Sequence, residues 1–238
     1  TFSWKVDAPV LWSAEDPQLY DLELTVSDEN GNVQEIIPQK VGFRRFEMKD
    51  GIMTLNGKRI VFKGVNRHEF SSVTGRHVSE EELRKDLTTM KLNNINAIRT
   101  CHYPDMSKIY ELCDEYGLYV VDEANVESHG IGYDPRESLA NRPEWTHVFI
   151  DRTERMFQRD KNHACIIVWS LGNESGSGIN FLATYKWLKE HDLSLRPIHS
   201  EDAGKKEFTD IYCPMYKQID VLINHALSRP DKPLILCE

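Results

Sequence analysis

Residues 165–174 read CIIVWSLGNE, a run of apolar and small side chains that ends in a glycine, an amide and a carboxylate. A continuous apolar run of this length, bounded by a polar turn, is typical of a parallel strand that is buried on both faces. The stretch therefore predicts a buried strand over residues 165–171, with Glu174 just beyond its carboxyl end.

Short apolar runs of the same kind recur on both sides of this stretch and alternate with segments of helical periodicity. The runs are residues 60–65, 95–98, 118–121, 197–199, 211–213 and 234–237. Between them, Ser79 and Glu82 form a capping box ahead of an amphipathic helix, and apolar side chains recur at helical spacing from Ile109, Ile179 and Ile219 onward. The alternation of strand and helix predicts a parallel α/β fold, which is either an open doubly wound sheet or a (β/α)8 barrel.

The positions of the polar residues favour the barrel. Polar or charged residues follow nearly every predicted strand, and a barrel gathers all its strand ends around one mouth, whereas an open sheet concentrates ligands at a switch point. No Gly-rich phosphate loop is present. Counting residues 165–171 gives seven strands, so we expect a (β/α)8 TIM-type barrel over residues 51–238 that is truncated after its seventh strand.

Residues 1–50 follow a different pattern, in which apolar and polar side chains alternate on either side of a turn at residues 29–32. This alternation predicts a β-hairpin from an all-β module. Fifty residues are too few for a complete sandwich, so the segment is either the last strands of a larger module or a small appendage. We place the domain boundary at Asp50-Gly51.

Composition narrows the class of partner. The chain has 238 residues and a net charge of -9, which disfavours nucleic acid and anionic membrane surfaces. No apolar stretch is long enough to cross a bilayer. The five cysteines are widely spaced and lack metal-type pairing, so we expect reduced thiols and a cytoplasmic protein.

Two carboxylates stand at the ends of predicted strands that face one another across the barrel. Glu174 follows the fourth strand, and Glu238 follows the seventh. Paired carboxyl groups suit the cleavage of a glycosidic bond, in which one protonates the leaving oxygen and the other attacks or activates water. Each alone would more simply be a solvated strand terminus, but the two in this arrangement favour the catalytic interpretation.

Six motifs occur in order along the chain, each at the end of a predicted strand. They are residues 66–69 (NRHE), 99–104 (RTCHYP), 122–130 (DEANVESHG), 169–176 (WSLGNESG), 213–216 (CPMY) and 234–238 (LILCE). The set resembles that of glycoside hydrolase family 2, in the pattern of its long bacterial β-galactosidases. The resemblance implies that residues 1–50 are the C-terminal part of an immunoglobulin-like β-sandwich domain.

The resemblance also implies a retaining mechanism. Glu238 would be the nucleophile, Glu174 the acid/base, and Asn173 a hydrogen-bond partner of the sugar 2-hydroxyl. His68, His102 and Tyr216 match family residues that contact galactose or stabilise the transition state. From the sequence alone, Asn173 could equally be a turn former, and a lone His or Tyr at a strand end is more often structural.

Three further matches concern a metal. Glu127, His129 and Glu174 match the family's Mg²⁺ ligands, and oxygen-rich coordination suits that ion, although His is a less usual ligand for so hard a cation. Without the resemblance, Glu127 and His129 would be surface loop residues.

The function that the resemblance implies is hydrolysis of terminal β-D-galactosides such as lactose, in a protein that forms a homo-oligomer at full length. Two alternatives stay open. One is an inactive fragment, or half of a split enzyme that needs a partner chain. The other is a β-glucuronidase or β-mannosidase of the same family.

Overall fold

The computed structural model of the chain describes residues 5–228 and 230–238. Its centre is a parallel sheet in which each strand pairs with the next one along the chain. The five strands are β6 (Gly64–Arg67), β7 (Ala97–Thr100), β8 (Tyr119–Glu123), β9 (Ile166–Ser170) and β10 (Ile198–His199).

Two further parallel bridges extend this sheet in the same direction, from His199 to Ile211 and from Tyr212 to Leu234. The chain thus forms an arc of consecutive parallel strands, which confirms the predicted partial α/β barrel. A cavity of about 1100 Å³ is lined by residues of β6 and by residues 234–238 at the two ends of the arc. The hydrogen bond from Asn66 Nδ2 to Cys237 O, at 2.8 Å, joins these ends.

The strand boundaries differ from the predicted runs in one systematic way: several strands extend into the polar residues expected beyond them. β6 contains Asn66 and Arg67, and β8 contains Asp122 and Glu123, both of which are fully buried. A buried polar group is tolerated when it is hydrogen-bonded. The Tyr110 hydroxyl donates such a bond to Asp122, and the Arg99 guanidinium donates to Glu123.

The four predicted helices lie between the strands, together with a fifth over Thr146–Asp160 that the sequence analysis did not predict. Ser79 and Glu82 cap the first of them as expected, with each side chain bonded to the other residue's backbone N–H. Their apolar faces bury Leu83, Ile109 and Phe149 against the sheet's core. The helices are α1 (Glu80–Leu92), α2 (Ser107–Tyr116), α3 (Thr146–Asp160), α4 (Ile179–His191) and α5 (Ile219–Leu227).

The N-terminal part is built from antiparallel strands. β1 (Tyr20–Ser27) and β2 (Val33–Val41) form the predicted hairpin. β3 (Phe46–Lys49), β4 (Ile52–Leu55) and β5 (Lys58–Arg59) form a second small sheet. Asp50-Gly51 is the turn between β3 and β4, so strands pair across the predicted domain boundary. The division at residue 50 stays a prediction.

The N-terminal part packs against the end of the barrel where the strands begin. Trp12 is fully buried and donates from Nε1 to Asp114 O at 2.9 Å. Arg44 donates to the carbonyls of Ala164 and Ile166, at the start of β9. These contacts leave the opposite end, where the strands finish, open for a site.

All five cysteines are buried and free, as predicted. Among the described residues, no helix has the length and apolar character needed to span a bilayer.

Candidate active site

The loop after β9 carries Asn173 and Glu174 into the mouth of the barrel. Asn173 N donates to Val126 O at 2.8 Å, which ties this loop to the one after β8. Gly172 permits the close approach, because its φ is 141° and a Cβ atom there would lie 2.5 Å from Val126 O. Glu174 then adopts a φ of 33°, a left-handed backbone that non-glycine residues seldom take outside functional or tightly constrained positions.

Glu238 lies in the same mouth and is surrounded by donors. Arg99 Nη1 donates to its Oε1 at 2.7 Å, and the Tyr216 hydroxyl donates to its Oε2. His102 Nε2 lies 3.7 Å from Oε1. Burial alone would raise the pKa of Glu238, but the hydrogen bonds from Tyr216 and Arg99 lower that pKa below its ordinary value. Glu238 is therefore held in its ionised form.

Arg99 connects the two sides of the mouth. Besides its bond to Glu238, it donates from Nη2 to Asn173 Oδ1 at 2.8 Å, and Asn173 immediately precedes Glu174. With its side chain only 5% exposed, Arg99 is held between these groups by a buried carboxylate. A single guanidinium thus fixes Glu238 and Asn173 relative to each other.

Glu123 is that buried carboxylate. Its Oε2 accepts from Arg99 Nε at 2.7 Å and from Ser170 Oγ at 2.6 Å, while its Oε1 accepts from Arg99 Nη2 at 3.1 Å. His102 Nδ1 lies 2.8 Å from Oε1. Burial opposes the charge on Glu123, but the Arg99 guanidinium and the bond to His102 hold its pKa well below the ordinary value. Glu123 positions both Arg99 and His102.

The two predicted sugar-binding histidines face each other at the rim. The ring centroids of His68 and His102 are 5.4 Å apart and nearly perpendicular. His68 Nδ1 lies 3.2 Å from the Tyr103 hydroxyl. Tyr216 is 74% exposed and has a φ of 50°. Its hydroxyl lies in the same mouth, where it donates to Glu238. The structure thus brings the predicted sugar-binding residues to one mouth.

Glu174 has different neighbours from Glu238. The Tyr133 hydroxyl donates to its Oε1 at 3.1 Å, and His129 Nδ1 lies 3.1 Å from its Oε2. The backbone N–H of Glu174 donates to Glu201 Oε1 at 2.8 Å. Burial and the adjacent Asp202 carboxyl raise the pKa of Glu201 to about 9, so Glu201 supports the loop in its protonated form at neutral pH.

The three predicted metal ligands also come together. One ligand atom each from Glu127, His129 and Glu174 lies within 4.8 Å of the other two. The parallel bridge between Glu127 and Asn173 accounts for this, because it sets the loops after β8 and β9 side by side. Two carboxylates, with exposed edges that leave room for water, fit a hard divalent cation, and the single imidazole is compatible with one.

Sequence reasoning missed three residues that hold the site together, namely Arg99, Glu123 and Glu201. Arg99 and Glu123 stand inside motifs that were recognised, but no local pattern distinguishes a charge that is buried within a strand from one that follows it. Glu201 lies in a 3₁₀ turn after β10, where a Glu-Asp pair gives no signal of its own.

Comparison with known proteins agrees with this geometry. The family model described as "Glycosyl hydrolases family 2, TIM barrel domain" matches residues 46–238, and that described as "Glycosyl hydrolases family 2" matches residues 1–44. The chain is 49% identical to a β-galactosidase of Halalkalibacterium halodurans and 46% identical to one of Enterobacter cloacae. Each alignment covers 100% of the chain and 24% of the relative, so the chain spans about a quarter of their length.

Solved structures give the same picture of the fold. A β-glucuronidase from Ruminococcus gnavus, in complex with C6-substituted uronic isofagomine, superposes with a TM-score of 0.82 at 25% identity. The superposition covers 95% of this chain and 43% of that protein.

Proposed function

This chain belongs to glycosyl hydrolase family 2, and on that premise we propose that the complete protein is a retaining β-galactosidase with Glu238 as nucleophile and Glu174 as acid/base. The observation that carries the proposal is the contrast between the two carboxylates. Glu238 is held ionised by Arg99 and Tyr216, whereas Glu174 accepts from Tyr133 and has no guanidinium partner among the described residues. Such differently placed acids are what double displacement requires.

In the first step of the proposed reaction, Glu174 gives its proton to the glycosidic oxygen while Glu238 attacks the anomeric carbon. The bond to the aglycone breaks, and a galactosyl ester forms on Glu238. In the second step, Glu174 takes a proton from water, the resulting hydroxide attacks the anomeric carbon, and Glu238 leaves as carboxylate. Anomeric configuration is retained because it is inverted twice.

The neighbouring side chains bind and orient the sugar in this proposal. Arg99 donates to the amide oxygen of Asn173, and one N–H of the same amide donates to Glu174 Oε2 at 3.5 Å. The second N–H of that amide would donate to the 2-hydroxyl. Contacts to that hydroxyl strengthen in the transition state. His68 and His102 offer ring nitrogens to the remaining hydroxyls, and Tyr216 steadies Glu238.

We propose that Glu127, His129 and Glu174 hold Mg²⁺. A bound divalent cation would restrict the position of Glu174 and favour its ionised form, which is the form that takes a proton from water in the second step. The carboxylates of Glu127 and Glu174 provide the oxygen ligands such an ion prefers.

A second candidate function within the family is β-glucuronidase, which the structural similarity to the Ruminococcus gnavus enzyme favours. The β-galactosidases show almost twice that sequence identity over the whole chain, so we prefer a galactoside.

The test is turnover of p-nitrophenyl β-galactoside, β-glucuronide and β-mannoside by the complete protein, with the 238-residue chain assayed beside it. We expect the galactoside to be cleaved, with the β-anomer of galactose as first product by NMR. An α-anomer would refute the retaining mechanism, and preference for the glucuronide would refute the substrate assignment. Activity only in the complete protein would indicate that this chain needs other segments.

Two variants test the roles of the carboxylates. Glu238→Gln is expected to abolish turnover of all substrates. Glu174→Gln is expected to retain activity toward aglycones that leave without protonation and to lose it toward alkyl galactosides. The matched control is Glu111→Gln, since Glu111 is exposed on α2, where it pairs with Lys108. Uniform loss in Glu174→Gln would argue for a structural role.

A further inference from the structure

A second group of donor atoms lies beside the nucleophile, apart from the residues proposed for Mg²⁺. One ring nitrogen each of His68 and His102 and the Sγ atom of Cys101 lie within 4.8 Å of one another. The fold explains the grouping, because β6 and β7 are paired with Arg67 opposite Thr100. The residues that follow these two strand ends are therefore neighbours in space.

Both imidazoles are oriented in the manner of metal ligands. His102 Nδ1 lies 2.8 Å from Glu123 Oε1, and His68 Nδ1 lies 3.2 Å from the Tyr103 hydroxyl. Each ring thus has one nitrogen engaged by the protein and a second nitrogen that can bind a cation. A carboxylate behind a histidine is the arrangement that fixes the tautomer and raises the basicity of metal-binding imidazoles.

The donor chemistry differs from that of the first group. Two nitrogens and a sulfur select borderline and soft cations such as Zn²⁺, Co²⁺ and Cu²⁺, whereas Glu127, His129 and Glu174 offer mainly oxygen. Glu238 offers a further oxygen donor beside this group, since its Oε1, which also accepts from Arg99, lies 3.7 Å from His102 Nε2. Ligands about 2.1 Å from a tetrahedral zinc ion lie about 3.4 Å apart, so small side-chain movements close the site.

We propose that His68, Cys101 and His102 bind a thiophilic divalent cation, with Glu238 as a fourth ligand, and that this cation and the sugar exclude each other. On binding, the Cys101 thiol releases its proton to solvent and the sulfur–metal bond forms in its place. Because the cation would occupy Glu238 and both histidines, it would inhibit competitively with the substrate. That competition rests on the proposed function, but the binding does not.

The binding is tested with Co²⁺ titrated into the complete protein in the presence of excess Mg²⁺. A sulfur-to-cobalt charge-transfer absorption in the near ultraviolet is expected, because only a thiolate ligand produces it. Cys101→Ser should abolish it, and His68→Asn should weaken Co²⁺ binding by at least about tenfold. Cys113→Ala, at a buried cysteine in α2, is the control that keeps the band.

The result that overturns the site is a band that is absent from the unmodified protein or that survives in Cys101→Ser. Thermal unfolding of each variant checks that it is folded. If Cys101→Ser does not fold, Co²⁺ binding by His68→Asn tests the site instead. This measurement needs no turnover. Its result therefore tests the metal site independently of the proposed β-galactosidase activity.

Inhibition is tested with Zn²⁺ against p-nitrophenyl β-galactoside, again with excess Mg²⁺. Competitive inhibition that chelator reverses is expected, with an inhibition constant raised at least about tenfold in Cys101→Ser. Equal inhibition of Cys101→Ser and the unmodified protein would place the cation at Glu127, His129 and Glu174 instead, and would overturn the proposed competition.

Discussion

Glu123→Gln is the substitution that most directly tests how the mouth is held together. The side chain is fully buried, and each carboxylate oxygen accepts two hydrogen bonds, one of them from Arg99 in each case. In the amide, one of these positions becomes an NH₂ group that accepts nothing. Whichever way the amide is turned, two donors lose their acceptor, and Arg99 loses one of its two counter-charges, the other being Glu238.

The magnitude follows from these contacts. Removing one partner of a buried ion pair costs about 3–5 kcal/mol when the other charge is left uncompensated. Because Arg99 keeps Glu238 as a second counter-charge, the lower end of that range, about 3 kcal/mol, applies here. We therefore expect the free energy of unfolding of the Glu123→Gln variant to fall by that amount in urea denaturation of the complete protein. Glu111→Gln, which removes an exposed pair with Lys108, should change it by less than about 0.5 kcal/mol.

Activity provides a second measurement on the same variant. Arg99 and His102 both face Glu238, so loosening them should lower kcat more than it changes KM at a temperature where the variant is folded. A Glu123→Gln variant within about 1 kcal/mol of the unmodified protein in stability, with unchanged kcat, would refute the positioning role.

Three further predictions concern pH and metal. Tyr216→Phe removes a donor to ionised Glu238, so the pKa of Glu238 rises and the acidic limb of the pH–activity profile should move to higher pH; an unmoved limb contradicts this. The proton held by Glu201, with a pKa of about 9 against an ordinary 4.5, stabilises the folded chain at low pH, and this stabilisation is lost as pH rises through 9. Glu201→Gln keeps a neutral acceptor for the N–H of Glu174 at every pH. The free energy of unfolding of this variant, relative to that of the unmodified protein, should therefore increase between about pH 6 and about pH 9, and unfolding experiments at both pH values measure it. Chelation should lower activity and Mg²⁺ restore it, and Glu127→Gln should need at least about tenfold more Mg²⁺; indifference to chelator would contradict the metal site.

The sequence sufficed for the barrel because its signal is local and repeated. Continuous apolar runs such as residues 166–170 alternate with helical periods, and the capping box at Ser79 is itself a local interaction. Placing Glu174 and Glu238 at one mouth followed from topology, since parallel strands in a barrel end on the same side.

The support of the site could not be predicted in the same way. The position of Glu123 depends on whether a polar residue continues a strand or ends it, and its partner Arg99 is 24 residues away. Burial of both charges is favourable only when they meet, so neither residue alone carries a sequence signal. The predicted boundaries accordingly ended β8 before Asp122 and Glu123, whereas in the structure these acids belong to the strand.

Arg99 also shows why the geometry of this mouth depends on charge as well as on strand pairing. β7 and residues 234–238 belong to opposite parts of the arc, and no ladder of backbone hydrogen bonds joins them in the part of the chain that the structure describes. The bond from Arg99 to Glu238 spans the mouth directly, and Glu123 anchors its other end in β8. The position of Glu238 is therefore set by a buried ionic network, whose strength depends on the exclusion of water. A substitution that admits water beside Arg99 should impair Glu238 even where every strand remains intact.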